Sequence, residues 1–276
     1  MLQDIAPHRF DNSYSPDKKP EKGDTALHFR AGAVLCDTDS EQLFPVYSDY
    51  DHPENAVYLF SVDERSYYLI LDDDASAEEN YSYVDVKKLR WSERISGVNV
   101  FVAFTALHLW DWYTNNRCCG HCGGRTIPDY SERALLCTSC CRVIYPRINP
   151  AVIVGVRNGE KLLITRYAAN RSFRHDALVA GFTEIGETFE ETVRREVMEE
   201  VGLRVKNITY YGSQPWGFSG GILAGFFCDV DGSTDVKLDE SELSIAQWVP
   251  REEITGQPDC YSLTNDMMMR FRNGEA

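Results

Sequence analysis

Three observations predict an α+β chain built in three parts. Within residues 1–115, short apolar runs broken by acidic turns extend from Leu27 to about Leu89 and give way to an aromatic, helical pattern. Cysteines crowd residues 116–148. Strand patterns in residues 149–276 surround one short, strongly acidic helix. At 276 residues, with 43% hydrophobic and 12% aromatic content, the chain suffices for one large or two ordinary domains with real cores.

Charge and composition exclude some functions. A formal charge of −15 argues against non-specific binding to nucleic acid or anionic membrane. It does not exclude a nucleotide substrate, because a bound metal inverts the local field. No apolar run reaches the roughly 18–20 residues of a transmembrane helix. The opening Met-Leu-Gln-Asp-Ile-Ala-Pro-His has neither the basic nor the apolar segment of a secretory leader. Nine cysteines are an odd number, and six of them lie from Cys118 to Cys141. Metal binding in a reducing cytoplasm is therefore expected, rather than a disulfide framework.

Residues 1–25 are polar, with Pro16, Pro20 and the Lys18-Lys19 pair, and read as a loose tail or a loop that packs late. Residues 56–62 and 66–71 read as paired strands around Asp63, Glu64 and Arg65. Asp72, Asp73 and Asp74 end a strand, because consecutive strand residues point to opposite faces and cannot share an ion. Residues 97–116 place Val100, Phe101, Phe104, Leu107, Leu109, Trp110, Trp112 and Tyr113 at near-helical spacing, which predicts a buried helix with His108 at its core or interface.

Two Cys-x-x-Cys knuckles follow, Cys119 with Cys122 and Cys137 with Cys140. Such a turn brings two sulfurs to one ion, and four thiolates suit tetrahedral Zn²⁺. A closed four-cysteine site leaves no position for catalysis, so the expected zinc is structural. Cys118 and Cys141 adjoin the knuckles and are expected as free thiols. A linker with Pro146 and Pro150 leads to a hairpin: residues 151–156 and 161–166 flank Asn158-Gly159, the strongest short hairpin dipeptide. Further strands are expected at 177–180, 206–211, 222–230 and 244–249, with a closing helix at 266–272.

The acidic stretch 181–203 carries Glu187, Glu190, Glu191, Glu196, Glu199 and Glu200 with Arg194 and Arg195. Thr188 is a good helix N-cap, Glu191 three positions on completes a capping box, and Gly202 suits the left-handed stop. Val193, Val197 and Val201 form a stripe for a core. Glu196 and Glu200 share a face at i,i+4, where like charges repel. A divalent cation would offset that repulsion, since Mg²⁺ favours one or two carboxylates together with phosphate oxygens.

The spacing of this stretch is Gly181, five residues, Glu187, seven residues, Arg195-Glu196, an aliphatic residue, any residue, Glu199-Glu200, any residue, Gly202 and an aliphatic residue. It resembles the catalytic box of Nudix hydrolases. Two features outside the box, the upstream knuckles and the downstream Ser213-Gln214-Pro215-Trp216-Gly217-Phe218-Ser219, resemble the NADH pyrophosphatase family of those enzymes. That family's downstream signature is Ser-Gln-Pro-Trp-Pro-Phe-Pro-x-Ser. Gly217 and Ser219 stand where it has prolines, so a more flexible loop is expected.

The resemblance implies an α/β/α sandwich with a mixed sheet for the C-terminal part, and hydrolysis of NAD(H) to nicotinamide mononucleotide and AMP with Mg²⁺ or Mn²⁺. It makes Glu196 and Glu200 metal ligands and Glu199 a ligand or base. Glu187 and Arg195 would organise the loop and helix, the Ala180 carbonyl would be a further ligand, and Glu242 a base or ligand from outside the box. Substrate contacts would come from Arg90, Glu132, Tyr145, Phe182, Gln214, Pro215, Trp216, Gly217, Phe218 and Ser219. Phe182 and Tyr145 would sandwich nicotinamide, and the contacts would cross a homodimer interface. Trp216 offers a stacking face, worth about 1–3 kcal/mol for a base. Gln214 has the donors and acceptor to read a carboxamide or base edge. Two alternatives stand beside this reading: removal of an NAD cap from RNA 5′ ends, and a non-catalytic zinc-ribbon binding module. The second is disfavoured, because no box glutamate is lost.

Overall fold

The computed structural model of the chain describes residues 1–50, 55–75, 77, 80–168, 175–258 and 260–276. It divides into two compact units. One holds Asp4–Arg147 with Gly217–Gly220; the other holds Met1–Gln3, Ile148–Trp216 and Gly221–Ala276.

In the first unit, β1 (Ala56–Val62) and β2 (Arg65–Ile70) form the expected hairpin. They lie inside a four-stranded sheet flanked by Phe10–Asp11 and Thr25–Leu27. A second sheet joins Phe29–Arg30, Ala33–Cys36 and Ser82–Asp85. Helix α1 (Gly97–Asn115) starts at Ser96, whose side chain accepts from the Asn99 amide. It is apolar nearly all round and buried accordingly. The first 25 residues are not a loose tail. Phe10 packs edge-on against Phe60 and Phe101, and Thr25–Leu27 is wholly buried beside β2. The cysteine-rich region is a three-stranded antiparallel sheet of Thr126–Pro128, Leu135–Cys137 and Val143–Ile144.

The second unit is built on β3 (Asn149–Asn158), β4 (Lys161–Tyr167) and β5 (Val179–Phe182), followed by α2 (Phe189–Val201). Then come β6 (Val205–Trp216), β7 (Gly221–Val230), β8 (Leu243–Pro250) and α3 (Leu263–Arg272). The sheet order is β6-β7-β3-β4-β8, with β5 on β3. The β3–β7 pair is parallel and the others are antiparallel, so the sheet is mixed. Alternate residues of β3 feed two cores. Val152, Val154 and Val156 meet Val193, Val197 and Val201 of α2, while Ile153 joins Leu263, Met267, Met268 and Phe271 of α3. One helix on each face makes an α/β/α sandwich and explains the unbroken apolar run in β3. Two boundaries differ most from expectation. Strand β6 runs on to Trp216 through register shifts, and α3 starts at Leu263 because Ser262 caps it.

Candidate active site

Strand β5 delivers the chain to the acidic loop, and α2 carries the carboxylates back along it. The helix begins where the side-chain chemistry dictates. Thr188 Oγ1 accepts from the Glu191 amide, and the Glu191 carboxylate accepts from the Thr188 amide at 2.8 Å. It ends at Gly202, whose φ of 67° few other residues adopt. The valine stripe is fully buried, which fixes the rotation of α2 and presents the glutamates on its other side.

Arg195 is the hub. Its Nε and Nη2 donate to the two oxygens of Glu187 at 2.6 and 2.9 Å, a two-point pairing. Its Nη1 donates to Glu196 at 2.7 Å and Glu199 at 3.0 Å, and Nη2 also reaches the Phe182 carbonyl at 3.0 Å. The guanidinium holds the Glu187 carboxyl down to about 2, helped by the Glu184 amide and the Thr192 hydroxyl. The sequence reading missed Thr192, whose hydroxyl meets Glu187 from the first turns of the helix.

One arginine therefore serves three carboxylates and leaves Glu200 out. Glu200 is 4% exposed, and its Oε2 is buried with no hydrogen-bond partner. Burial, then the charges of Glu196 and Glu242, push its carboxyl up to about 8, against which the Ala180 amide donates one hydrogen bond. Burial also raises Glu196, with Glu199 and Glu242 adding to it against the pull of Arg195. The charge of the exposed Glu242 thus acts on both Glu196 and Glu200. A buried carboxylate oxygen with no donor, among further carboxylates, is the donor set of a hard divalent cation, and the residues fit one. Gly181 shapes the same cradle: a Cβ there would lie 2.0 Å from the Glu196 carboxylate.

The knuckles fit zinc. The Sγ atoms of Cys119, Cys122, Cys137 and Cys140 all lie within 4.8 Å of one another. Cys119–Cys140 and Cys122–Cys137 are 3.7 and 3.5 Å apart, close to the roughly 3.8 Å of a tetrahedron with 2.3 Å Zn–S bonds. Backbone amides of Cys140 and Ser139 draw the Cys137 thiol down to about 6, and those of His121 and Cys122 lower Cys119. Cys140 goes to about 12: the Arg142 amide lowers it, but the Cys122 sulfur, burial and the other sulfurs raise it by more. Cys118 and Cys141 stand outside the cluster as free, exposed thiols.

The expected substrate residues divide into exposed and interior ones. Phe182 is 54% exposed beside the box, and Tyr145 is 56% exposed, donating to Glu132 at 2.7 Å. Pro215, Phe218 and Ser219 are exposed and Trp216 is half-buried. Phe218 lies under the Lys87 ammonium at 4.1 Å, and Arg90 stacks on Trp91 at 4.3 Å. Gln214 does not face a ligand. It is 0% exposed, and its amide is committed to Tyr261, Gln3 and Leu263, so the expectation that it reads a base edge is corrected. Gly217 sits tight against α1. A Cβ there would lie 2.1 Å from the Phe104 carbonyl of α1, which leaves no room for a proline ring.

Comparison with known proteins agrees with this geometry. The NUDIX domain family matches residues 147–269. The NAD-capped RNA hydrolase NudC of Vibrio atlanticus is 37% identical over 207 residues, covering 75% of this chain and 73% of that protein. The protein of the same name from an Enterobacter species is 40% identical over 153 residues, covering 55% of this chain and 58% of its own length. The chain thus spans nearly three quarters of one relative and little over half of the other. A crystal structure of a NUDIX hydrolase from Nitrosomonas europaea is 22% identical with a TM-score of 0.47, covering 56% of this chain and 90% of that one. With the box, its carboxylate cluster and the four-cysteine knuckles all in place, the chain is a Nudix hydrolase and belongs to the NudC, or NADH pyrophosphatase, family.

Proposed function

We propose that this protein hydrolyses the pyrophosphate bond of NAD(H), yielding nicotinamide mononucleotide and AMP. The observation that carries the reading is the buried, unpartnered oxygen of Glu200 among Glu196 and Glu242. Glu196, Glu199, Glu200 and Glu242, with the Ala180 carbonyl, would hold Mg²⁺ or Mn²⁺. Divalent cations there would neutralise charge on the phosphate oxygens and lower the pKa of the attacking water. Water attacks one phosphorus, the bridging P–O bond breaks, and the other phosphate leaves with the electron pair. Glu199, 59% exposed although paired with Arg195, or the exposed Glu242 would accept the water's proton. Arg195 keeps Glu196 and Glu199 aimed, and Glu187 keeps Arg195 in place.

Phe182 and Trp216 supply stacking faces for the ring ends of the substrate. On the resemblance, Arg90, Glu132, Tyr145, Pro215, Phe218 and Ser219 add contacts in a homodimer. The three-part division at 1–115, 116–148 and 149–276 belongs to the same reading, with the ribbon's zinc structural. No helix among the described residues is long and apolar enough to cross a membrane. A cytoplasmic setting is part of the proposal, supported by nine cysteines of which none is in a disulfide.

A second reading, the same bond cut in NAD-capped RNA, is favoured by the relatives' printed name. The charge of −15 counts against a long RNA track. A non-catalytic zinc-ribbon module is opposed by the complete set of box glutamates. One panel tests all three: NADH, NAD⁺, ADP-ribose, diadenosine polyphosphates and NAD-capped RNA, with products identified. NADH should give nicotinamide mononucleotide and AMP with the highest kcat/KM. Preference for capped RNA selects the second reading, and no turnover of any member the third.

A further inference from the structure

We propose that Gln3 and Gln214 form an amide clamp, and that Gln3 is a positioning residue for the substrate turn at 213–216. The Gln214 Nε2 donates to the Tyr261 carbonyl at 2.7 Å and to Gln3 Oε1 at 3.1 Å. Its Oε1 accepts from the amide of Leu263, the first residue of α3, at 2.8 Å. Gln3 Nε2 donates back to the Ser213 carbonyl at 3.0 Å, and the Leu2 amide donates to the same Tyr261 carbonyl at 2.9 Å. The five bonds close a ring around the end of β6.

A clamp is needed there. Pro215 pairs with Ile222 in the β6–β7 ladder but has no N–H to give it. The side chain of Gln214 ties this end of the strand to Tyr261, Leu263 and Gln3 instead. Gln214 and Trp216 are i and i+2, so they share a face, and the position of one sets that of the other. Both donors of the Gln214 amide are spent, so losing the Gln3 acceptor leaves a buried N–H unmet. Gln3 is only half-buried and can be changed without opening a core.

The inference rests on the reading of Trp216 as a stacking face, and its test separates the two. Gln3→Met keeps the length of the side chain and removes its hydrogen bonds to Ser213, to Gln214 and to the Met1 sulfur. With NADH and Mg²⁺ it should raise KM about two- to tenfold, the worth of one net hydrogen bond, with kcat within about twofold. That rise should vanish in a Trp216→Ala background. By hydrogen–deuterium exchange, peptides covering 213–216 and 261–263 should exchange faster in Gln3→Met. Unchanged exchange overturns the clamp. Faster exchange with unchanged KM, or a fall in kcat alone, overturns the positioning role. If Trp216→Ala leaves KM unchanged, or the wild type does not turn over NADH, it is the stacking reading that fails. Exchange then decides the clamp by itself.

Discussion

The backbone of Gly181 lies against the carboxylate of Glu196, so closely that one added methyl would meet it at 2.0 Å. The atom displaced is the end of a flexible side chain, so Gly181→Ala is expected to fold with little loss of Tm. Glu196 must leave the cradle, however, and kcat/KM should fall by about 10- to 100-fold, as for groups that orient metal ligands. Thermal melts and steady-state kinetics with varied Mg²⁺ check the split; a large Tm loss with unchanged Mg²⁺ dependence would contradict it.

Glu200→Gln removes the oxygen that no protein donor reaches. Activity should fall by more than about 100-fold, beyond the effect of a supporting group. Metal-free stability should hold below about pH 8, where Glu200 already carries its proton, and rise above it, where a buried carboxylate among like charges is lost. The paired readout is turnover against the metal-free melting temperature.

The same residue sets a pH dependence. Metal-free, Glu200 binds its proton up to about pH 8 instead of 4.5, so the folded state holds more protons than the unfolded chain between those values. Metal-free stability should therefore fall as pH rises from about 4.5 to 8. Divalent cations need the bare carboxylate, so the Tm gain from Mn²⁺ or Mg²⁺ should grow over the same window. Melts at several pH values, with and without cation, test both slopes.

Glu187 gives the opposite sign. Its carboxyl is held at about 2, below the usual 4.5, so its pairing with Arg195 stabilises above pH 4.5 and is lost as pH falls toward 2. A lysine cannot make the two-point pairing and still reach Glu196, Glu199 and the Phe182 carbonyl. Arg195→Lys should shift acid unfolding to higher pH and cut kcat/KM by about 10- to 100-fold. In a Glu187→Gln background the acid shift should shrink, which a double-mutant cycle reads directly.

At the knuckles, Cys137→Ser should drop bound zinc from one ion per chain to a small fraction, by metal analysis, and lower the Tm. The neighbouring free thiol, in Cys141→Ser, should leave zinc content unchanged.

The box was legible in the sequence because its signals are local. Thr188, Glu191 and Gly202 fix the ends of α2, and Val193, Val197 and Val201 fix its buried face. The knuckles were legible for the same reason. What could not be read depends on distant partners. Leu2, Ile5 and Phe10 are too sparse to show a period, so the first residues read as a tail. Gln214 reads as a polar loop residue until Leu263 and Gln3 surround it. Gly217 reads as slack, because nothing local announces the Phe104 carbonyl behind it.

The Gln3–Gln214 bond spans 211 positions of the chain, and this has a consequence for biosynthesis. Residues 1–3 leave the ribosome long before their partners at 213–214 and 261 exist. The 4–147 unit can complete most of its internal pairing in that interval, whereas the hydrolase unit must wait for its last helix. Contacts of such separation close late. A nascent chain arrested before residue 261 should therefore hold a formed ribbon and a hydrolase unit without its clamp, exposing the α3 face of the sheet to premature association.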